Sequence, residues 1–376
     1  MIFWALLLAQ LPEAKTIEVP AEIEVSILAK YDLSRLDLVD GRCAHADLAG
    51  VTSLSARGGQ VRACAGAMKP CIDRPSIALR CEASMVVRVR SLGRRTYGRG
   101  LRASVDGRGH LRLVASVAIE DYVSGVVHSE LANAPVEAQR AQAVLARSFA
   151  VRALSDPRHD DAPLCDLTHC QAFTSARAPM PPRPGSESIV LVDSAGQIAD
   201  VFFHSTCGGQ TAPPRLVWGD RGSPEVVGID DVDDKGRAWC RRSPHFRWVH
   251  ELTDEALLAA LAPLLSRAFE AGSLELSPAV PSATRWQIGD RGGTELVNGE
   301  ALHLELSRAL GFSAVKSSQF SVKRAGNILR LSGSGLGHRV GLCQMGAMAR
   351  AKAGQSSREI LLAYFPKLDL AKVVVK

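Results

Sequence analysis

Several features that would assign a function directly are missing from this sequence of 376 residues. No apolar run is long enough to span a bilayer, and no internal repeat is present. Zinc-finger, RNP and helix-turn-helix patterns are also missing, so nucleic acid is not an expected partner. The chain is 46% hydrophobic and 22% charged. That composition is typical of a globular protein and excludes overall disorder.

The charge balance and the cysteines favour a location outside the cytoplasm. The net charge of +6 fits an anionic partner such as a cell-wall polymer. Nine cysteines are many for a reducing compartment. Residues 1–14 contain a short apolar run that resembles a signal peptide without its positively charged first region. We therefore expect export to the periplasm or cell wall, with no transmembrane span in the mature protein.

The periodicity of apolar residues predicts an α+β fold with a cleft between two lobes. Residues 16–84 read as a strand-rich, cysteine-containing region, and a mixed core follows from residue 85. Cys43, Cys64, Cys71 and Cys81 are expected to form two disulfides of undetermined pairing. A helical run ends near Glu130. The further predicted elements are a long buried helix at about 135–155, a linker at 179–188, a hairpin at 188–203, and helices at 253–269, 299–310 and 357–364.

Three segments place polar side chains where a packed element would not require them. The first holds Glu130, at the end of the helical run. The second is the stretch FFHSTCGGQT (202–211), and the third is GSGLGHRVGLCQMGAMA (333–349). Glycine clusters allow main-chain donors to approach a polar ligand. The third segment lacks both the Gly-Lys-Ser/Thr ending of a phosphate loop and the glycine spacing of a dinucleotide turn, which excludes nucleotide phosphates.

The order of these motifs resembles the stage II sporulation protein D and LytB amidase-enhancer family. The similar segments begin with IEDYVSGVVHSEL and PVEAQRAQAVLARSFAV, continue through FFHSTCGGQT and CRRSPHFRW, and end with GSGLGHRVGLCQMGAMARAKAGQSSREILLAYFP. They cover roughly residues 85–376. The resemblance implies a peptidoglycan lytic transglycosylase that cleaves the MurNAc–GlcNAc β-1,4 bond of peptide-stripped glycan strands.

In this interpretation a single carboxylate, Glu130, acts as general acid and then as general base. A glycoside hydrolase needs two carboxylates. A lytic transglycosylase uses the C6 hydroxyl of the substrate as nucleophile, so one glutamate suffices. The apolar neighbours Val126, Val127 and Leu131 are expected to raise its pKa. Glu120 is interpreted as structural, and Glu137 as a charge at a helix N-terminus.

The remaining site predictions concern substrate and metal. The residues predicted to contact substrate are His204, Ser205, Thr206, Gly208, Gly209, His338, Gln344 and Arg147. Relatives often carry aromatic residues around the histidine corresponding to His338, whereas this chain has Leu336, Arg339 and Met345. The aromatic surfaces that would stack on sugar rings are therefore expected to be reduced.

A zinc site at His159, Cys165 and Cys170 is the one candidate cofactor, and the proposed transglycosylation requires none. The fourth ligand would be water or a residue of the 204–207 segment. A Cys165–Cys170 disulfide explains the same cysteines equally well, and Cys207 could pair with Cys240. Two other functions stay open: a non-catalytic enhancer that binds the wall and stimulates an amidase, and a zinc-dependent peptidoglycan hydrolase.

Overall fold

The computed structural model describes residues 16–39, 43–66, 69–89, 92–176, 188–219, 222–279 and 285–376. The predicted signal segment and almost all of the predicted linker at 179–188 lie outside these residues. Within these residues, thirteen strands precede the first helix. They are β1 (Thr16–Val19), β2 (Glu22–Ile27), β3 (Arg35–Leu38), β4 (Cys43–His45), β5 (Leu48–Val51), β6 (Ser53–Arg57), β7 (Gln60–Cys64), β8 (Cys71–Arg74), β9 (Ser76–Cys81), β10 (Val86–Val89), β11 (Gly93–Thr96), β12 (Gly100–Val105) and β13 (Leu111–Ala118).

Helices and further strands alternate in the remainder. In chain order they are α1 (Ile119–Leu131), α2 (Val136–Ser155), β14 (Leu164–Cys165), β15 (Ile189–Val192), β16 (Phe203–His204), α3 (Pro214–Trp218), β17 (Trp248–Thr253), α4 (Asp254–Leu261), β18 (Glu275–Pro278), β19 (Arg285–Asp290), β20 (Gly293–Asn298), α5 (Gly299–Leu310), β21 (Phe320–Ala325), β22 (Ile328–Gly333), β23 (Leu342–Cys343), α6 (Gln344–Lys352), α7 (Ser357–Tyr364) and β24 (Asp369–Val375). Short 3-10 helices span Trp239–Arg242 and Ala262–Leu264. The α+β prediction is confirmed.

The chain divides into two compact units. Unit 1 comprises residues 1–132, 146–198 and 369–376. Its main sheets are a seven-stranded one in the order β14-β2-β13-β12-β9-β4-β5 and a six-stranded one in the order β11-β10-β3-β6-β7-β8. Disulfides join Cys43 to Cys81 and Cys64 to Cys71, which confirms that these four cysteines pair among themselves.

Unit 2 comprises residues 133–145 and 199–368. Its sheets are small: β17-β22-β21, β18-β19-β20 and the parallel pair β16-β23. An apolar core of this unit surrounds Trp286 and includes Trp248, Leu302 and Leu331, all of them buried. No helix in the part of the chain described above has the length and hydrophobicity needed to cross a membrane.

The predicted helices compare closely with the observed ones, except where proline intervenes. The predicted spans 135–155, 299–310 and 357–364 correspond to α2, α5 and α7. The predicted helix 253–269 is correct at its start, because the side chain of Thr253 accepts a hydrogen bond from the backbone N–H of Ala256. It ends at Leu261, since Pro263 lacks the N–H that a continuing helix requires.

Two other predictions differ in part from the observed topology. The predicted hairpin at 188–203 is present only at its turn, where Val192 and Ile198 form an antiparallel bridge and the N–H of Asp193 donates to the carbonyl oxygen of Gln197 at 2.9 Å. The flanking strands do not pair with each other, because β15 pairs with β24 whereas β16 pairs with β23. Strands from both sides of the predicted boundary between residues 84 and 85 belong to one sheet. Strand β12 pairs with β9, and β13 pairs with β2. Backbone hydrogen bonding therefore unites the N-terminal strands with the start of the predicted core.

Candidate functional site

Glu130 lies in the last turn of α1, a helix that follows β13 without an intervening loop. Glu120 and Asp121 occupy the first turn, where negative charge is favourable for a helix. The buried face of α1 includes Val126, Val127 and Leu131. The side chain of Glu130 is half-buried beside this face. The helix therefore presents one carboxylate at the point where its apolar surface ends, as the sequence predicted.

A segment following α2 in the chain positions this carboxylate. The backbone N–H of Ala172 donates to Glu130 Oε1 at 3.2 Å. The neighbouring Gln171 accepts a hydrogen bond from the hydroxyl of Tyr122 at 3.3 Å. Thr174 contacts Ser129 through its hydroxyl at 3.0 Å. These three contacts attach the 171–174 segment to α1 at Tyr122, Ser129 and Glu130.

Gly125 allows this segment to approach α1 closely. A Cβ atom at Gly125 would lie 2.4 Å from the carbonyl oxygen of Ser175 and 2.6 Å from the ring of Phe173. The ring of Phe173 also packs against Tyr122, with ring centroids 4.9 Å apart. Real Cβ contacts are not that short, so the glycine is required by the packing of the segment that carries Ala172.

The same segment begins at a compact group of histidine and cysteine side chains. Their ligand atoms all lie within 4.8 Å of one another, and the members are His159, Cys165, His169 and Cys170. Nε2 of His159 is 3.1 Å from Cys170 Sγ and 3.4 Å from Nε2 of His169. Cys165 Sγ is 3.3 Å from the same nitrogen of His169. A hydrogen bond from Cys165 is the main cause that lowers the pKa of Cys170 to about 5.

These residues fit a tetrahedral metal ion. Metal–ligand bonds of about 2.0–2.3 Å produce ligand–ligand edges of about 3.3–3.8 Å, close to the observed distances. Cys165 and Cys170 are free thiols, so the alternative disulfide is not formed. His169 is the fourth member of the group, whereas the sequence suggested water or a residue of the 204–207 segment as a fourth ligand. His169 is exposed, and its position beside Cys170 was visible in the sequence, but spacing alone did not identify it as a member of the group.

Arg147, which the sequence predicts to contact substrate, has structural contacts in the protein. It is 4% exposed, and its Nε and Nη2 donate to the two carboxylate oxygens of Glu120 at 2.7 and 2.6 Å. Its Nη1 donates to the carbonyl oxygen of Ile189 at 2.9 Å. All three nitrogen atoms therefore have protein partners. The structural interpretation of Glu120 agrees with this bidentate pair.

The two predicted glycine-rich segments meet each other within unit 2. Strands β16 and β23 pair in parallel, and Thr206 and Leu336 form a further bridge. Gly335 has a positive φ of 83°, and a Cβ there would lie 2.5 Å from the carbonyl oxygen of Thr206. This glycine therefore serves the close packing of two chain segments, whereas the sequence suggested close approach to a ligand.

Several predicted substrate contacts are buried by this packing. His204 is 4% exposed, Thr206 is 0% exposed and Gln344 is 8% exposed. The hydroxyl of Thr206 is 2.8 Å from that of Ser243, which gives it a protein partner. Ser205, Gly208 and Gly209 are half-buried. Glu130 belongs to unit 1 and these segments to unit 2, and the predicted cleft that joins them stays a prediction.

His338 is the predicted substrate residue that lines a cavity of unit 2. The cavity has a volume of about 870 Å³ and is also lined by Arg339, Glu300, Gln319 and Lys367. Burial lowers the pKa of His338 to about 4, against the opposing effects of Glu300 and the backbone of Phe203. Its Nδ1 accepts the backbone N–H of Val340 at 3.1 Å. The neutral ring therefore carries its proton on Nε2.

An aromatic side chain does lie beside His338, contrary to the expectation from the neighbouring sequence. The ring centroid of Trp218 is 4.9 Å from that of His338 and 4.6 Å from that of Phe202. Trp218 ends α3, far from the glycine-rich segment in the chain. This proximity could not be read from the residues adjacent to His338, because tertiary packing brings the two segments together.

Sequence comparison supports the family that the motifs indicate. Residues 107–190, which contain α1, α2 and the histidine–cysteine group, match the family model of the Stage II sporulation protein SpoIID. This match, together with the relatives described next, confirms the family predicted from the motifs, that of stage II sporulation protein D and the LytB amidase enhancer.

Two relatives are similar over most of the chain, and a third is similar over a short segment. Stage II sporulation protein D of Bacillus subtilis is 26% identical over 279 residues, which cover 69% of this chain and 76% of that protein. An uncharacterized protein of Brachyspira hyodysenteriae is 25% identical over 263 residues, covering 69% and 68%. The amidase enhancer of Bacillus subtilis is 41% identical over 66 residues, which are 18% of this chain and 9% of that protein.

Proposed function

We propose that this protein is an exported peptidoglycan lytic transglycosylase with Glu130 as its single acid and base. The observation that carries the proposal is the placement of Glu130: a half-buried carboxylate at the end of the apolar face of α1, held through Oε1 by the N–H of Ala172. This arrangement lies inside the segment that matches the sporulation protein family.

The hydrogen bond to Ala172 has a consequence for proton transfer. In the protonated acid, the oxygen that accepts an N–H is the carbonyl oxygen, so the transferable proton lies on Oε2. Glu130 donates that proton to the glycosidic oxygen as its bond to C1 of MurNAc breaks. The same carboxylate then removes the proton from the C6 hydroxyl, whose oxygen bonds to C1 and closes the 1,6-anhydro ring. No water is consumed, and the acid is regenerated.

Asp166, a carboxylate of the same unit as Glu130, has a structural role. Its oxygens accept the backbone N–H groups of Leu28 and Ala29 at 2.6 and 3.3 Å. Burial is the main cause that raises its pKa, and these bonds oppose the shift. A carboxylate committed to two backbone donors is poorly suited to activate water. Asp166 is therefore a poor candidate for the second carboxylate that hydrolysis requires.

The histidine–cysteine group supports the site without taking part in the chemistry. A zinc ion held by His159, Cys165, His169 and Cys170 would cross-link the segment that carries Ala172 to the chain after α2. Four protein ligands form a closed set, which is typical of structural zinc, whereas catalytic zinc keeps a position for water. This argues against the zinc-dependent hydrolase. The disulfides of unit 1 support export, since such bonds persist in oxidising compartments.

The test uses sacculi from which an amidase has removed the stem peptides. Wild-type protein is expected to release 1,6-anhydroMurNAc products, identified by mass spectrometry. Glu130→Gln should lower the release rate about 100-fold or more, the usual contribution of general acid–base catalysis. Glu137→Gln is the matched control. Glu137 lies in the first turn of α2 and accepts a hydrogen bond from the backbone N–H of Ser357, so it is occupied by a structural contact. Equal release by wild type and Glu130→Gln would disprove the proposal.

The alternative is a non-catalytic amidase enhancer, favoured by the 66-residue similarity to the amidase enhancer of Bacillus subtilis. It predicts that neither wild type nor Glu130→Gln releases anhydro products. Both proteins would instead raise the rate at which a purified cell-wall amidase releases peptides from intact sacculi. Measuring both products in one experiment distinguishes the two functions.

A further inference from the structure

Unit 2 contains a second group of metal-binding side chains, distinct from the histidine–cysteine group of unit 1. Its members are Cys207, Asp231, Cys240 and Cys343, and their ligand atoms lie within 4.8 Å of one another. Their exposed fractions are 0%, 0%, 1% and 0%. They come from four separate chain segments: the turn after β16, the loop at residue 231, the 3-10 helix Trp239–Arg242 and the end of β23. The function proposed above uses none of them.

The distances match the edges of a tetrahedral site. Cys207 Sγ is 3.5 Å from Cys240 Sγ and 3.4 Å from Asp231 Oδ2. Bonds of about 2.3 Å to sulfur and about 2.0 Å to oxygen give edges of about 3.5–3.8 Å around a zinc ion. The group is therefore preformed, and an ion could bind with little movement of these side chains.

Backbone N–H groups donate hydrogen bonds to the sulfur atoms of Cys343 and Cys207. Cys343 Sγ accepts from the N–H groups of Cys207 and Gly346 at 3.2 and 3.3 Å. Cys207 Sγ accepts from the N–H of Gly209 at 3.3 Å. Donors directed at sulfur favour the deprotonated form, which is the form that binds metal. Cys343 is also the N-cap of α6, where the helix dipole adds to this effect.

The carboxylate is oriented by a second layer of partners. Arg350 donates to Asp231 Oδ1 through Nε and Nη2 at 3.2 and 3.0 Å. The hydroxyl of Tyr364 donates to Oδ2 at 2.9 Å. Hydrogen bonds of this kind commonly hold a metal ligand in position. Gly346 leaves room for these groups because it has no side chain. A Cβ at this position would lie 2.1 Å from the Tyr364 hydroxyl and 2.3 Å from Asp231 Oδ2.

Charge balance also favours a divalent cation. Three thiolates and one carboxylate carry four negative charges, which would be very costly to bury together without compensation. Arg350 forms an ion pair with Asp231. Arg339 lies beside the group, since its Nε donates to the backbone carbonyl oxygen of Cys207 at 3.1 Å. Two arginines and one divalent ion would neutralise the group.

We propose that Cys207, Asp231, Cys240 and Cys343 bind a structural zinc ion. Thiolate ligands select soft or borderline metals such as zinc over magnesium or calcium. The bound ion would connect four chain segments, including the turn that leads to Gln210 and Thr211 in the wall of the 870 Å³ cavity. Its function is therefore to hold that wall in place. The proposal does not depend on glycan cleavage, and an inactive protein tests it equally well.

The rival explanation is a disulfide between Cys207 and Cys240, in line with the pairing considered from the sequence. All three cysteines of the group are free thiols in the structure. A disulfide would use two of them and leave Cys343 and Asp231 buried without a shared partner. A metal ion uses all four side chains at once, and it therefore accounts for more of the arrangement.

The first measurement is the zinc content of the purified full-length protein and of matched variants. Cys343→Ser should lose one molar equivalent relative to wild type, and Asp231→Asn should lower zinc affinity. Cys165→Ser is the control, since it removes a thiol from the other group only. In the double variant, the zinc lost through Cys165→Ser should add to the zinc lost through Cys343→Ser. Circular dichroism checks that each variant is folded. Unchanged zinc content in folded Cys343→Ser would overturn the proposal.

A second measurement needs no variant. Wild-type protein is denatured with a chelator but without a reductant, alkylated, digested and mapped by mass spectrometry. The proposal predicts alkylated Cys207, Cys240 and Cys343, with Cys43–Cys81 recovered as a linked pair and serving as the internal control. Recovery of Cys207 linked to Cys240 or to Cys343 would overturn the proposal, whatever the variants show.

Discussion

Glu120 and Glu130 belong to the same helix, but their partners give them different tasks. Glu120 forms two hydrogen bonds with Arg147, a residue that is 4% exposed. Glu130 accepts a backbone N–H from Ala172 at 3.2 Å. The bidentate contact commits both oxygens of Glu120 to Arg147. The contacts therefore give Glu120 a structural role and leave Glu130 as the carboxylate of the proposed acid.

This difference predicts that Glu120→Gln destabilises the protein without abolishing glycan cleavage. The variant leaves the guanidinium of Arg147 buried without its counter-ion, which we expect to cost about 2–3 kcal/mol. The control is Glu24→Gln, because Glu24 and Arg102 are 49% and 44% exposed and such pairs contribute less than about 1 kcal/mol. Urea unfolding measures the free energy of unfolding of both variants. An equal effect of the two substitutions would contradict the structural role of Glu120.

At the scale of elements, the site depends on how closely the 171–176 segment packs against α1. The N–H of Ala172 reaches Glu130 because Phe173 and Ser175 lie against the backbone at Gly125. Sequence periodicity located α1 and α2, since each helix carries its own apolar pattern. It could not locate the packed segment, because residues 171–176 form neither helix nor strand.

Gly125→Ala tests this packing. In a solvent-exposed helix the change would stabilise by about 1 kcal/mol. Here the added Cβ would lie 2.4 Å from the carbonyl oxygen of Ser175, so we expect a loss of about 1–3 kcal/mol together with slower glycan cleavage. Gly107→Ala is the control, because a Cβ at Gly107 meets nothing within 4 Å. Thermal unfolding and product release report the two effects, and stabilisation by Gly125→Ala would refute the packing argument.

At the scale of the whole molecule, the strand-rich region is joined to the start of the predicted core by shared sheets and covalently closed by disulfides. The bond Cys43–Cys81 links residues 38 positions apart, whereas Cys64–Cys71 spans seven. A longer closed loop removes more entropy from the unfolded chain. The two bonds therefore differ in their expected contributions to stability, although both lie among the N-terminal strands.

Replacing both cysteines of the longer loop, Cys43→Ser with Cys81→Ser, should lower the free energy of unfolding by about 2–4 kcal/mol. The same double replacement at Cys64 and Cys71 should cost less, because its loop is shorter. Urea unfolding under non-reducing conditions compares the two proteins with wild type. A larger loss from the shorter loop would show that strand packing, and not loop closure, determines the contribution of these bonds.

The sequence by itself determined the helices, the family and the position of Glu130, because periodicity, caps and ordered motifs are encoded in neighbouring residues. Tertiary structure alone decided which side chains meet. Ala172 reaches Glu130 across 42 positions, Trp218 reaches His338 from α3, and Asp231 lies beside Cys207, Cys240 and Cys343. The buried pairing of Arg147 with Glu120 was likewise invisible in the sequence. Such contacts arise from packing between distant segments, and no local pattern of residues records them.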